Sequence, residues 1–160
     1  MVVQGPKITI TQKTRSVASA RREGYMSLRE GMTFELERKV TEAELSDRHG
    51  NPWVHVFTTP KVVEWMEEVA TNGVQPHLQE GQGTAGTVVN MKHLAATPVG
   101  LKVKVVAHLK QIDGRRLVFW IEAFDEVEKI AECHHERFIV DLSRFHEKVA
   151  KKRTGSGATS

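Results

Sequence analysis

The chain has 160 residues, 39% of them apolar and 27% charged, with a net charge of +3; this is the size and balance of one globular domain and excludes collagen-like, low-complexity and wholly disordered classes. No apolar run approaches the roughly 20 residues that a bilayer crossing needs, so no membrane partner is expected. The positive charge sits at the ends, in Lys7, Lys13, Arg15, Arg21 and Arg22 and in Lys148, Lys151, Lys152 and Arg153, and without these nine the intervening chain stands at −6, the opposite of a duplex-binding core, so no nucleic-acid partner is expected either.

The ends read as solvated tails, which gives a basic, disordered extension over 1–28, one domain over 29–152 and a flexible tail over 153–160. The start has neither the apolar run of a signal peptide nor the amphipathic stripe of a transit peptide. Cys133, the only cysteine, cannot form an internal disulfide and fits a reducing compartment, so a cytoplasmic protein is expected.

The first element is a strand over Met32 to Val40, where Phe34, Leu36 and Arg38 alternate with Thr33, Glu35 and Glu37. The stretch 41–58 carries Asp47, Gly50, Asn51 and Pro52 and reads as a functional loop. A helix follows over 60–78, with Thr59 as its cap and Pro60 at the first position. Its stripe is Val62, Val63, Met66, Val69, Ala70, Gly73 and Val74, and Pro76 closes or kinks its last turn. After a Gly-rich turn at 81–86 the period becomes two, with Val89, Met91 and His93 on one face of a strand that Pro98 and Gly100 break. Leu101, Val103, Val105, Ala107 and Leu109 alternate in the next strand, and Asp113-Gly114 turns it back as a hairpin into Leu117 to Phe124. A loop over 125–129 leads to a last strand, Ile130 to Leu142, and Ser143 caps a short helix bearing Phe145 and Val149.

One long amphipathic helix with antiparallel strands around it implies an α+β layer pair in which the sheet wraps the helix, the plan of a hot dog fold. The edges of such a sheet need covering, and a second copy is a natural solution, so a homodimer is expected.

Two motifs dissolve on inspection. Gly81-Gln82-Gly83-Thr84-Ala85-Gly86 spells G-x-G-x-x-G, but here a helix precedes and a strand follows, the reverse of what a pyrophosphate site at a helix N-terminus requires, so no nicotinamide or flavin cofactor is expected. Gly86 keeps a steric use, close approach of a ligand to the backbone. Cys133-His134-His135 offers no metal site, because neighbours on a strand face opposite ways and no paired ligand spacing occurs.

Glu67 lies at the flank of the helix stripe beside Val63 and Val74, whereas Glu64 and Glu68 point away from it; alone it reads as a surface glutamate. His93 alone reads as a core histidine and Thr59 as a cap. Their joint pattern is more specific. Thr59, Glu67 and His93, with Gly86 seven residues before the histidine and the run His93-Leu94-Ala95-Ala96-Thr97-Pro98-Val99-Gly100, resemble the fluoroacetyl-CoA thioesterase branch of the hot dog thioesterases. Asp113-Gly114-Arg115-Arg116-Leu117 and His135-Glu136-Arg137 match it as well, and the resemblance covers about residues 30–151. It implies hydrolysis of an acyl-CoA thioester, short-chain by expectation, by a Thr59/Glu67/His93 triad, with Gly86 lining the acyl pocket and Arg137 near the ligand. The chain departs from the pattern at Pro60, at Glu68 and in the preceding loop, where Trp53 and Phe57 stand in place of a phenylalanine-rich lid. These departures bear on the choice of acyl group more than on hydrolysis.

A thiol of pKa about 8.5 is a good leaving group, so the site must chiefly supply a nucleophile and stabilise an oxyanion. Glu67 is expected to activate water or attack directly, Thr59 to hold the nucleophile or accept the acyl group, and His93 to move the proton, with the Lys61 and Val62 N–H groups as oxyanion donors. Eight helical residues separate Thr59 and Glu67 by roughly 12 Å, too far for a shared hydrogen bond, so either a substrate carbonyl and water bridge part of the gap or a partner subunit supplies one member; sites at a dimer interface are expected. Lys102, Lys104, Arg115 and Arg116 are candidate partners for the CoA phosphates. The reading from another class is a non-catalytic acyl-CoA-binding module, a sensor or scaffold.

Overall fold

A side chain at Gly73 would run into the ring of Phe34, and the fold is built around this close approach of its long helix to its first strand. The computed structural model describes residues 27–155, so nearly all of the expected extension and the last part of the expected tail lie outside the described residues. Five strands, β1 (Thr33–Lys39), β2 (Gln82–His93), β3 (Lys102–Asp113), β4 (Arg116–Phe124) and β5 (Lys129–Asp141), form one antiparallel sheet in the order β1-β3-β4-β5-β2. The helix α1 (Thr59–Val74) packs against it, and a second helix, α2 (Leu142–Lys151), follows β5. This is the expected hot dog fold.

The alternation read in the sequence is what fills the core: Phe34 and Leu36 of β1, Val103, Val105, Ala107 and Leu109 of β3, and Phe119, Ile121 and Ala123 of β4 are buried against α1. On α1 the buried set is Val62, Trp65, Met66, Val69, Ala70, Gly73 and Val74. Trp65 takes the place that the stripe gave to Val63, because its ring packs tilted against Phe57, centroids 4.5 Å apart, and lies under the Arg38 guanidinium at 5.1 Å. Glu68 reaches back to the same Arg38, with two contacts of 2.9 and 3.1 Å.

Three local expectations are corrected. Thr58, not Thr59, is the N-cap residue of α1; Thr59 is its first helical residue, and Pro60 still falls where no N–H partner is needed. The expected turn over 81–86 shrinks to Gly81, whose φ is 80°, because from Gln82 onward the backbone already pairs with β5. Ser143 lies inside α2 rather than capping it; the residue before the helix is Asp141, whose carboxylate binds Arg115 at 3.1 Å instead of the helix N–H groups.

The stretch before α1 is an ordered loop of two short 3-10 turns, Glu42–Glu44 and Ser46–His49. Backbone bonds from Ser46 to Val56 and from Thr58 to Glu44, both 2.9 Å, and from Phe57 to Thr97 at 2.8 Å hold it. Phe57 is fully buried; it anchors the start of α1 and cannot serve as a lid, whereas Trp53 is 84% exposed.

Candidate active site

Once Thr58 has taken the cap position, the exposed Thr59 is free to turn outward at the start of α1. Its Oγ1 lies 2.8 Å from Nδ1 of His93, the last residue of β2. His93 is held there because the chain beyond it is pinned by bonds from Leu94 and Ala95 N–H to the Ile130 carbonyl, 2.7 and 3.3 Å. Burial pushes the His93 imidazole below its ordinary pKa, an effect the Ala95 backbone partly offsets. A neutral ring with Thr59 as donor carries its proton on Nε2, which is buried and has no partner of good geometry. Nδ1 is then the basic nitrogen facing the threonine hydroxyl. The pair opens on a cleft of about 590 Å³ whose other wall is the loop, through His49, Asn51 and Val54.

Glu67, two turns along α1, belongs to a second cluster. Its Oε1 lies 3.5 Å from Nη1 of Arg137 on β5, with the glutamate side chain 41% exposed and the arginine 7%. Arg137 is fixed on its other sides: Nε donates to Thr84 Oγ1 at 2.9 Å and Nη2 to the Thr84 carbonyl at 3.0 Å. Nη1 also contacts His135 Nε2 at 3.3 Å. A guanidinium only donates, so that nitrogen accepts and His135 Nδ1 carries the proton, which it donates to the Val88 carbonyl at 2.8 Å. Burial first, and then the Arg137 charge, hold the His135 pKa below its usual value against the opposing pull of Val88 and Glu67, which favours this neutral tautomer. Gly86 faces the same point: a Cβ there would lie 2.6 Å from Glu67 Oε1 and 3.3 Å from Arg137 Nη1. Glu67 and Arg137 border a second cleft of about 620 Å³ with Val63 and Thr71.

The five expected site residues thus fall into two groups, Thr59 with His93 and Glu67 with Gly86 and Arg137. Pro60 lines both clefts, so the first turn of α1 is the wall between them. The Lys61 and Val62 N–H groups expected as oxyanion donors are engaged by the Thr58 carbonyl, at 3.0 and 3.1 Å. All four expected phosphate ligands are engaged too: Lys102 with Glu37 at 3.8 Å, Lys104 with Glu35 at 3.0 Å, Arg115 with Asp141 at 3.1 Å and Arg116 with Glu136 at 2.7 Å. Sequence reasoning missed His135 and Thr84. The signal was available for the first, since Cys133, His135 and Arg137 alternate onto the inward face of β5.

Residues 40–143 match the family model described as fluoroacetyl-CoA-specific thioesterase. The fluoroacetyl-CoA thioesterase of Streptantibioticus cattleyicolor is 40% identical over 97 residues, 61% of this chain and 70% of that protein. A crystal structure of a mutant of the fluoroacetyl-CoA-specific thioesterase, in complex with fluoroacetate and CoA, superposes with a TM-score of 0.70 at 33% identity, covering 74% of this chain and 99% of that one. A hot-dog-like protein from Thermanaerovibrio acidaminovorans, at 20% identity and TM-score 0.72 over 77% of this chain and 91% of its own, shares the fold.

Proposed function

This chain belongs to the fluoroacetyl-CoA-specific thioesterase family and is an acyl-CoA thioester hydrolase, and from that premise we propose that it cleaves short acyl-CoA esters with Thr59, Glu67 and His93. The observation that carries this assignment is the 2.8 Å contact between Thr59 Oγ1 and a His93 whose burial keeps it neutral. In that state Nδ1 takes the Thr59 hydroxyl proton as the threonine oxygen bonds to the acyl carbon, and the imidazole hands that proton to the departing CoA thiolate, which leaves as the thiol. Glu67, held by Arg137, then takes a proton from the water that attacks the acyl-threonine ester; water supplies the hydroxyl of the free acid, and the proton returns to the Thr59 oxygen as the acid departs. Gly86 leaves the space beside the carboxylate that the acyl group needs.

The two clefts meet across Pro60, and a second copy of the chain would close them into one site. Strand β2 is a sheet edge, and Val88 and Val89 on it and Leu94 just beyond it are 38%, 44% and 51% exposed. A homodimer joined along the C-terminal part of β2 covers these side chains and gives two sites per dimer.

Thiol release from a panel of short acyl-CoAs tests the reading. Glu67→Gln should lower turnover at least about a hundredfold with the fold intact, as loss of a general base does; wild-type turnover in that variant removes Glu67 from the mechanism. Light scattering on the wild type should give twice the chain mass, and a monomer that turns over at full rate would rule out the shared site.

A further inference from the structure

An acyl-CoA carries an adenine, a diphosphate and a ribose phosphate, and neither cleft described above suits them. The cleft at Thr59 and His93 has no lysine or arginine in its lining, and the one at Glu67 sets three carboxylates, Glu64, Glu67 and Glu68, against the single Arg137. A third groove has the opposite character. It runs between α2 and the outer face of β5 and β2, measures about 610 Å³, and combines Arg115, Arg144, Lys148 and Lys152 with Phe138 and Phe145. Asp141 is the one acid in its lining, and it is already bonded to Arg115 at 3.1 Å. Among the described residues Lys148 and Lys152 have no carboxylate within ion-pair distance, and Arg144 feels Asp141 only at longer range. Phe138 and Phe145 are 43% and 39% exposed, the surface a stacking base would cover.

We propose that this groove holds the nucleotide end of the CoA substrate, with the basic side chains of α2 on the phosphates and Phe138 or Phe145 against the adenine. The groove has a defined position relative to the chemistry. Ala85 and Thr87 line it on either side of Gly86, whose other face meets Glu67. Phe138 lines it one residue after Arg137. One strand thickness separates the nucleotide from the carboxylate, and the pantetheine arm joins them around the margin of β2, along the half from Gln82 to Gly86 that the proposed dimer contact leaves open. Helix α2 and the 3-10 turn that follows it supply the complementarity directly, since Arg144 and Lys148 of α2 and Lys152 just beyond it recur at a spacing of four, with Phe145 and Val149 beside them. Phosphate recognition by such side chains is charge-assisted and sensitive to salt.

This inference rests on the hydrolase reading, and the test separates the two. Arg144→Glu with Lys148→Glu changes exposed side chains of α2 and should raise KM for acetyl-CoA at least about tenfold, as loss of charge-assisted phosphate contacts does, with kcat retained. The same double variant should hydrolyse S-acetyl-N-acetylcysteamine, which has no nucleotide, with unchanged kcat/KM, and adenosine 3′,5′-bisphosphate should bind the wild type by calorimetry but not the variant. An unchanged KM for acetyl-CoA, or an equal loss with both substrates, overturns the groove assignment. If the wild type cleaves neither thioester the hydrolase reading fails instead, and the calorimetry still decides whether the groove takes the nucleotide.

Discussion

Gly86 and Glu67 share one small volume: the space where a residue 86 side chain would begin lies 2.6 Å from the glutamate Oε1. Gly86→Ala should therefore displace the carboxylate. The displaced group is the free end of a flexible side chain, so unfolding free energy should change by less than about 1 kcal/mol. With Glu67 as the base proposed above, activity should be more sensitive, since misplacing a catalytic group by about 1 Å costs up to about a hundredfold in kcat. Thermal unfolding and thiol-release kinetics on the one variant check both halves; a stable variant with full kcat would mean that the carboxylate position does not matter.

On the proposed mechanism, His135 bears on the reaction through Arg137. It is buried, spends its Nδ1 proton on Val88 and offers Nε2 to Arg137, which in turn lies 3.5 Å from Glu67. His135→Leu should cost about 1–3 kcal/mol of stability by leaving buried polar groups unpaired, and should lower kcat more than it raises KM. His135→Gln, whose side chain can accept from Arg137, should restore part of kcat. A purely structural role predicts that kcat per folded molecule stays at the wild-type value in both variants.

How far the sequence foretold this depends on the range of the interaction. The α1 stripe, the alternation in β3 and the Asp113-Gly114 hairpin were legible because each is set by neighbours within a few residues. The extent of β2 was not: Gly83 and Gly86 look like turn residues until β5, some fifty residues later, pairs with them. The cap was misplaced by one residue because Thr58 and Thr59 are chemically alike, and only the distant His93 distinguishes the one that turns outward. The grouping of Glu67 with Arg137 and His135 was likewise hidden, since it joins a helix to a strand far along the chain. The proposed grouping of Thr59, Glu67 and His93 as a triad rests on resemblance, not on periodicity.

Cys133 should be inert in the folded protein. It is buried, and desolvation raises its thiol pKa to about 11, so little of the reactive thiolate forms near neutral pH. Iodoacetamide at pH 8 should leave the native chain unmodified and alkylate it in denaturant, which mass spectrometry distinguishes. Rapid labelling of the native chain would show that this part of β5 opens readily.

The pH dependence follows from the sign of the histidine shifts. Burial lowers the pKa of both His93 and His135 from the ordinary 6.5, so each is neutral in the native state at neutral pH. Below 6.5 the unfolded chain binds protons at these positions before the folded one does; stability is therefore fully present above that value and is lost as pH falls through the lowered native pKa values. On the proposed mechanism activity should follow the same direction, because a protonated His93 can no longer accept from Thr59. The acid limb of kcat/KM, which reports the free enzyme, should lie below 6.5. His93→Gln should abolish that limb while lowering turnover at all pH values. A limb at or above the ordinary histidine value would mean that the ring is not desolvated in the working enzyme, and that a different group takes the threonine proton.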